Sequence, residues 1–463
     1  MFGLNVVKNS EVPITSQLIR QLREFIQCGK IQSGYKMPPT RSLAQELNIS
    51  RNTVIQAYEQ LIAEGYLDSI VGSGTFVAEV GVIPKSNKSV ATIGESIIQD
   101  IKSGIIAFEA GNPDTSVFPR ILWAKAFKEA CLEAQDNDFG YGRLKGHPLL
   151  REALCSYLFR SKGIFCDSGR IIIVPGTAVG MDIIAQMLFE KGSAVAVEDP
   201  SLLFARHAIT KSGYKVLPVE SDNCGICIDR LPTDSSVRLI CVAPSHQYPL
   251  GGVLPASRRI ALLNYAQKND AYIIEDDYDS EFRYQGEPIQ SLWHLNNDRV
   301  IYLGSFSNIF TPSLRMAYMI LPEHLMQRTL DMMGKLNVWV GAIEQIALAR
   351  LMDSKQFDRH IYRMKKLYDA KRKYLINVLK EQFGDSIIIS GENAGLHLLV
   401  TFNRDLTDKD FKAMAENDVD VDYVEDYAVH KGSHRNQIVL GYGNLSFAQI
   451  EEGVSRLKKS LEA

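Results

Sequence analysis

Ile301–Pro322 reads IYLGSFSNIFTPSLRMAYMILP, and this stretch decides the fold because an apolar strand leads straight into polar residues of defined chemistry. The strand opens into Ser305-Phe306-Ser307-Asn308. The amide nitrogen of Asn308 is not a nucleophile, because its lone pair is delocalised into the carbonyl group. Further along, Arg315 offers a planar, permanently charged guanidinium that suits a phosphate. We therefore predict an anion-binding pocket at the end of this strand, with no reactive amine at residue 308.

Apolar runs of the same kind recur along the middle of the chain and alternate with helical stretches. Continuous apolar strands separated by helices imply a mostly parallel sheet, buried by helices on both faces. We expect an α/β fold here, followed by a smaller C-terminal α+β part. The runs are Ile171–Val174, Ala194–Val197, Leu239–Val242, Tyr272–Ile274 and Val300–Leu303.

Polar segments follow these runs, at the place where ligands of parallel sheets gather. Pro175-Gly176-Thr177-Ala178 begins a predicted helix, whose free N–H groups suit a phosphate. A lone acidic cluster at a strand end is usually a solvated turn, and a lone histidine is usually a hydrogen-bonded loop residue. Their joint presence favours a single ligand site. The other polar segments are Glu198-Asp199-Pro200, Pro244–Pro249 and Glu275–Phe282.

The sequence of the N-terminal region predicts three helices. Apolar residues at helical spacing mark the first, Ile14–Cys28. Thr40 can cap a short second helix that ends near Asn48. Ser50 can cap a third, Arg51–Glu64. A short helix, a tight turn and a second capped helix form a helix-turn-helix.

A hairpin follows the third helix. Tyr66–Val71 and Thr75–Val77 are strand-like and flank Gly72-Ser73-Gly74, which suits a turn. In this order, MPPTRSLAQELNISRNTVIQAYEQLIAEGYL and GSGTFV resemble the GntR-type winged helix, with the hairpin as the wing. A winged helix that contacts protein instead of DNA stays the alternative.

In a winged helix, the N-terminal residues of the recognition helix reach base edges in the major groove. Arg51 could pair with guanine, Asn52 with adenine, and Thr53 with a phosphate or a thymine methyl group. The resemblance implies that Arg41 and the wing meet the backbone or the minor groove. The predicted DNA-binding residues are Thr40, Arg41, Ser50, Arg51, Asn52, Thr53, Gly72, Ser73, Gly74 and Thr75.

From about Pro13 to the C-terminus, the chain resembles the MocR/GabR family, in which a GntR-type winged helix is fused to a fold-type I aminotransferase-like domain. The resemblance implies a site for pyridoxal 5'-phosphate (PLP). Asp276 would pair with the protonated pyridine nitrogen and Tyr278 would bind the 3-hydroxyl group. Thr177, Ser305, Ser307 and Arg315 would surround the phosphate, and His246 and Tyr248 would line the ring site.

Asn308 occupies the position where the family carries the lysine that forms a Schiff base with PLP. Without that amine, covalent capture and the proton shuttle are lost, the latter a general-base role worth ~10²–10⁴ in rate. We therefore expect a catalytically disabled domain in a DNA-binding regulator, with no catalytic residue and PLP bound non-covalently at most. The alternative is an active aminotransferase that uses another lysine, of which Lys335 is the nearest downstream.

The effector is expected to differ from a simple α- or γ-amino acid. Asp426 aligns where amino-acid binders of the family often place an arginine, and a carboxylate there would repel a carboxylate. Leu202, Leu203 and Phe204 are apolar where relatives carry basic side chains, and Ala178 replaces a more usual polar residue. We expect an amine or a PLP adduct.

Length and composition set the frame for these predictions. The 463 residues, 46% of them hydrophobic, suffice for two or three domains. We predict a winged helix at 12–80, a linker at 81–104 with a short helix at Ile93–Ile101, and an aminotransferase-like domain at 105–463. The last divides into a large part, about 105–350, and a small part, about 351–463. The resemblance also implies a homodimer, because fold-type I active sites lie at a dimer interface.

The charge and the cysteines limit the possible partners. The net charge is −3, and residues 1–80 carry seven Lys or Arg against seven Asp or Glu. Operator DNA is therefore predicted from the motif and not from charge. Cys224 and Cys227 are half of a zinc site at best, so we expect no metal and reduced thiols. No stretch has the length of a membrane span, and we expect a cytoplasmic protein.

Overall fold

A computed structural model describes residues 3–8, 10, 12–79, 104–234, 236–286 and 289–462. The chain forms two compact units, Met1–Asp100 and Ile101–Ala463. The short helix predicted at Ile93–Ile101, and nearly all of the predicted linker, lie outside the described residues.

The described residues of the first unit form three helices and a two-stranded antiparallel sheet. Its core is formed by the faces that the helical spacing predicts, including Leu18 and Leu22 of the first helix and Val54 and Leu61 of the third. This arrangement confirms the helix-turn-helix with a wing. The elements are α1 Ile14–Gln27, α2 Thr40–Glu46, α3 Arg51–Ala63, β1 Leu67–Ile70 and β2 Gly74–Val77.

The two predicted helix caps differ in outcome. The Ser50 side chain accepts a hydrogen bond from the Thr53 N–H at 3.1 Å, which caps α3 as predicted. Thr40 does not cap α2, because it is the first residue of that helix and Pro39 holds the cap position. The hydroxyl group of Thr40 instead accepts a hydrogen bond from Nε of Arg51 at 3.3 Å. Thr40 therefore connects the starts of the two helices of the motif.

The second unit is built on an eight-stranded sheet in the order β4-β11-β10-β9-β8-β5-β6-β7. The inner strands are parallel, whereas β11 and β7 run antiparallel to their neighbours. The predicted parallel sheet is confirmed. Its strands are β4 Ile171–Val174, β5 Ala194–Asp199, β6 Lys215–Asp222, β7 Gly225–Ile226, β8 Val237–Val242, β9 Tyr272–Asp277, β10 Val300–Ser305 and β11 Ala317–Ile320.

Both faces of this sheet are buried. Successive side chains of a strand point to opposite faces, so one strand contributes to the cores on both sides. In β4, Ile171 and Ile173 enter one apolar core, and Ile172 and Val174 enter the other. Continuous apolar strands result, as the sequence indicates. The helices before and beside this sheet are α4 Arg120–Glu133, α5 Pro148–Lys162, α6 Thr177–Leu188, α7 Leu203–Lys211, α8 Ala256–Lys268, α9 Leu292–Leu295, α10 Met326–Leu336, α11 Ala342–Asp353 and α12 Gln356–Phe383.

A second sheet of five strands has the order β12-β13-β15-β14-β3. Four strands come from the C-terminal part, but β3, Ile106–Phe108, comes from the start of the unit and pairs in parallel with β14. The sequence analysis had assigned residues 105–350, which include β3, to the large part, whereas β3 belongs to the sheet of the C-terminal part. The remaining elements are β12 Ile387–Ser390, β13 His397–Phe402, α13 Asp408–Glu416, β14 Val419–Tyr423, α14 Val424–Tyr427, β15 Gln437–Gly441 and α15 Phe447–Glu462.

Within the described ranges, no helix combines the length and the apolar composition needed to cross a bilayer.

Candidate ligand-binding site

A cavity of about 300 Å³ lies in the second unit, where the carboxyl ends of the central strands meet the five-stranded sheet. Most of the residues predicted for a cofactor line it, although they come from segments that are far apart in the sequence. This convergence follows from the parallel sheet, whose strands all end at one edge. The predicted residues that line the cavity are Thr177, Tyr248, Asp276, Tyr278, Ser305, Ser307 and Asn308.

The start of α6 forms the anion-binding side of the cavity. Thr177 is the first residue of this helix, and a helix start presents free N–H groups and the positive end of the helix dipole. Ser305 and Ser307, at the end of β10, line the same cavity, and the Ser305 hydroxyl group accepts a hydrogen bond from the Ser307 N–H at 3.0 Å. These hydroxyl and N–H groups can bind a phosphate.

Arg315 lies beside this helix start but does not line the cavity. Its side chain is exposed, and it borders a neighbouring depression of about 470 Å³. A Cβ atom on Gly176 would lie 3.1 Å from Nη2 of Arg315, and Gly176 has a φ of +96°, so glycine permits this close approach. Among the described residues, no hydrogen bond or ion pair occupies the guanidinium. It remains available to an anion at the start of α6.

Asp276, at the end of β9, is the most unusual group in the cavity. Its side chain is 6% exposed, and Oδ1 has no hydrogen-bond partner among the described residues. Burial and, to a smaller extent, the nearby carboxylates of Asp277 and Asp279 together raise the pKa of this carboxyl group to about 7. A buried oxygen without a partner is costly, and this atom retains the capacity to accept a hydrogen bond.

Tyr278 and Tyr248 line the cavity as predicted, but the hydroxyl group of Tyr278 is already engaged. It donates a hydrogen bond of 2.6 Å to the main-chain carbonyl of His246. Its oxygen can therefore accept a hydrogen bond from a ligand but cannot also donate one. Burial raises the pKa of Tyr278 well above its usual value, so this phenol stays protonated.

His246 does not line the cavity, contrary to the prediction. It is buried behind the cavity wall, where Nδ1 lies 3.0 Å from Oδ2 of Asp279. Its ring stacks on His397, with centroids 4.6 Å apart, and His397 lines the cavity instead. Gly395, with a φ of +76°, packs against the His246 ring at a position where any Cβ atom would overlap it. His397 opens a strand of the other sheet and carried no sequence signal of its own.

His397 is held in the neutral form. Burial lowers its pKa well below the usual value, and the adjacent imidazole of His246 lowers it further. Its Nε2 atom has no hydrogen-bond partner among the described residues. His397 thus adds a second unpartnered polar atom, besides Oδ1 of Asp276, among the residues that line the cavity.

Asn308 lies just beyond β10, 9% exposed and facing the cavity. No lysine is among the described residues that line the cavity. Lys335 lies exposed near the end of α10 and is not at the cavity wall. Two buried lysines are engaged elsewhere: Lys162 pairs with Asp277 and Glu281, and Lys371 pairs with Asp114.

A second group of polar residues, which the sequence analysis did not assign to the site, lines the side of the cavity formed by the five-stranded sheet. Asp422 accepts hydrogen bonds from the main-chain N–H of Ala110 at 3.1 Å and from the Tyr427 hydroxyl group at 2.8 Å. Glu109 lies at the rim. Asp426, for which the sequence suggested repulsion of a ligand carboxylate, is exposed and does not line the cavity.

In the first unit, the predicted DNA-reading residues lie at the surface. Arg51 and Asn52 are exposed in the first turn of α3, and Thr53 is half-buried. Ser50 and Thr53 are linked by the cap and by a 2.9 Å hydrogen bond between their hydroxyl groups. Arg41, at the start of α2, is also exposed. Arg41, Arg51 and Asn52 are free to face a nucleic acid.

The wing ends in a short turn. Gly72 and Ser73 are exposed between the strands, and Gly74 is the first residue of β2. Gly72 and Gly74 have φ values of +78° and +118°, which glycine adopts without strain. Thr75 follows, half-buried. The turn thus presents mostly backbone, with small side chains.

Comparison with known families matches both units. Residues 14–77 match the bacterial regulatory proteins of the gntR family. Residues 103–456 match the family of class I and II aminotransferases. The combination of domains predicted from the sequence is confirmed.

Similar proteins share this organisation over nearly their whole length. The probable rhizopine catabolism regulatory protein MocR of Rhizobium meliloti is 32% identical over 98% of this chain and 95% of its own. The HTH-type pyridoxine biosynthesis transcriptional regulator PdxR of Corynebacterium glutamicum is 32% identical over 96% of this chain and 94% of its own. Among solved structures, the kynurenine aminotransferase of Pyrococcus horikoshii, in complex with PMP, superimposes with a TM-score of 0.72. It is 25% identical and covers 78% of this chain and 91% of the enzyme chain.

Proposed function

We propose that the aminotransferase-like domain of this chain senses a small ligand. The chain belongs to the family of HTH-type transcriptional regulators that includes MocR and PdxR. The chain is a DNA-binding transcriptional regulator with an aminotransferase-like domain. The proposal concerns what the cavity binds and how it binds it. PLP, bound without a covalent bond to the protein, is the component we infer.

The residues of the cavity fit PLP. The unpartnered Oδ1 atom of Asp276 suits a pyridine N–H, and the start of α6 with Ser305 and Ser307 suits the phosphate. Arg315 is close enough to the helix start to add a charge-assisted contact. When bound, PLP supplies an aldehyde and an electron-withdrawing ring. The residues named here would hold and orient it.

Two observations together carry the proposal: Asp276 presents an unpartnered buried oxygen, and Asn308 stands where the resemblance places the anchoring lysine. The first favours a bound heteroaromatic N–H group. The second removes the amine that would bond to the cofactor or move protons, because an amide is neither a nucleophile nor a base at neutral pH. Binding without turnover is the expected result.

An active enzyme that uses another lysine is not favoured. Lys335 lies away from the cavity. Lys162 is held as an ammonium group, because Asp277 and Glu281 raise its pKa against the effect of burial. A nucleophilic lysine needs a lowered pKa, so Lys162 does not meet the requirement.

On the DNA side, we propose that Arg51 and Asn52 read base edges while Arg41 and the wing contact the backbone or the minor groove. We also propose a homodimer. Its support is the resemblance to fold-type I domains and the exposure of large apolar side chains in the second unit, among them Ile121, Leu132 and Tyr141. A symmetric dimer would bind two half-sites.

A PLP titration of the wild-type protein beside Asn308→Lys tests the cofactor proposal. We expect saturable binding in both, followed by visible absorbance. Borohydride treatment should fix the cofactor to the variant only, which intact-mass spectrometry would detect, because only lysine supplies an amine.

Lys335→Ala in the wild-type background is the matched control and should change nothing. Borohydride-dependent attachment to the wild-type protein would contradict the assignment of Asn308. Failure of both proteins to bind PLP would contradict the cofactor proposal itself.

A further inference from the structure

The ends of β3 and β14 place two carboxylates at one side of the cavity. The two strands pair in parallel, with Phe108 opposite Val421, so Glu109, the residue after β3, comes beside Asp422 near the end of β14. Both line the cavity. The main-chain N–H of Ala110 donates to Asp422 and fixes this arrangement.

The charge of the cavity is one-sided. Glu109, Asp276 and Asp422 contribute carboxyl groups, and no lysine or arginine is among the described residues that line it. The one histidine of the wall, His397, is buried and neutral. Its Nε2 atom has no hydrogen-bond partner among the described residues. On the side of Glu109 and Asp422, the wall therefore offers acceptors and negative charge, whereas the anion-binding groups lie at the start of α6 and the end of β10.

Asp422 has room for a further donor. Each of its oxygens accepts one hydrogen bond, from Ala110 and from Tyr427, and each carboxylate oxygen can accept two. The Tyr427 ring packs edge-to-face on Tyr248, with centroids 5.0 Å apart, which keeps the donor in place. The carboxylate is thus positioned before any ligand arrives, an arrangement that favours charge-assisted binding.

We infer that Asp422 and Glu109 form a subsite for an organic ammonium group, so that the effector is an amine with a second cationic group, such as a short aliphatic diamine. This inference rests on the proposed ligand-sensing function and adds the chemical class of the ligand. In a partly desolvated cavity, a ligand carboxylate at the same position would meet like charge.

The probes are two compounds of equal chain length that differ at one end: 1,4-diaminobutane and 4-aminobutanoate. PLP reacts with free amines in solution, so the full-length protein is first saturated with 4'-deoxypyridoxine 5'-phosphate, which lacks the aldehyde. Isothermal titration calorimetry then gives both affinities. We expect the diamine to bind at least about tenfold more tightly, the lower end of the value of a hydrogen bond to a charged group.

Asp422→Asn should remove about tenfold or more of the diamine affinity and leave the cofactor analogue unaffected. Glu109→Gln, at the exposed rim, tests the same charge without disturbing the packed sheet and should give a smaller loss. Asp426→Asn removes an exposed carboxylate of the same segment and should have no effect.

Equal or tighter binding of 4-aminobutanoate, or no binding of the diamine, would overturn the inference. Both outcomes would leave the proposed function standing as long as the cofactor analogue binds. If the analogue fails to bind, the proposed function fails as well, so the two failures are distinguishable.

Discussion

Asp276 combines deep burial, an unpartnered oxygen and nearby carboxylates, and these features have opposite effects on stability and on binding. Burial of the ionised carboxylate costs stability in the absence of a ligand. A ligand that donates a hydrogen bond to Oδ1 recovers that cost. The site is therefore expected to be stabilised markedly by its ligand.

Asp276→Asn should stabilise the ligand-free second unit at alkaline pH and abolish tight PLP binding. The folded pKa, about 7, lies above the unfolded value, so the stability that the protonated form provides is lost as pH rises through 7. We expect a gain on the order of 3 kcal/mol at pH 8 and a smaller gain at pH 5. All three tryptophans, Trp123, Trp293 and Trp339, lie in the second unit, so their fluorescence during urea unfolding reports this gain.

Asp426→Asn is the control for this measurement, because Asp426 is exposed. The stability of this variant should match that of the wild-type protein at both pH 5 and pH 8. A gain in Asp276→Asn that did not depend on pH would contradict the cause assigned to the raised pKa.

At the scale of elements, α3 separates the residues that build the helix from those free to bind. The hydrogen bond from the Thr53 N–H to the Ser50 side chain caps the first turn of α3. On the inner face of the helix, Val54 and Leu61 are buried in the core. Arg51 projects from the exposed surface with one weak hydrogen bond to Thr40, so its side chain can leave that partner at little cost.

Arg51→Ala should weaken specific DNA binding while leaving the fold intact. A good bidentate contact to a base contributes ~1–3 kcal/mol, so we expect a loss of about tenfold or more against the preferred sequence and little against random DNA. Fluorescence anisotropy with a duplex selected by the wild-type protein measures both. Arg20→Ala, which removes an exposed charge from α1, is the matched control, and equal losses in the two variants would argue against base reading by Arg51.

At the scale of the whole molecule, the two units carry different functions that must be coupled for regulation. A ligand can shift DNA binding only by as much as its affinity differs between the two states of the regulator. A homodimer would supply such states, because ligand binding could change the spacing of its two DNA-reading helices.

We expect light scattering to give twice the 51.8 kDa of one chain at micromolar concentration. A duplex with two half-sites should bind more tightly than one with a single half-site, because the second contact is intramolecular. A monomer of 51.8 kDa that binds both duplexes equally would contradict the dimer.

The sequence alone determined the elements whose signals are local. Continuous apolar runs located five of the eight strands of the main sheet, helical spacing located α1 and α3, and Ser50 was identified as a cap, because each of these depends on neighbours within a few residues. Thr40 was misassigned because its partner, Arg51, lies on another helix. The prediction of a catalytically disabled domain depends on one residue type, Asn308.

Only the tertiary structure decided which side chains face the ligand. In the structure, His397 lines the cavity and His246 lies behind it. Which of these two stacked rings faces the cavity depends on the packing between the two sheets. The structure also shows that Asp422, and not Asp426, lines the cavity. The pairing of β3 with β14 places Glu109 beside Asp422. The two paired strands lie some 310 residues apart, and such a pairing leaves no periodic pattern in the sequence. The carboxylates that give the cavity its charge could therefore be identified only from the fold.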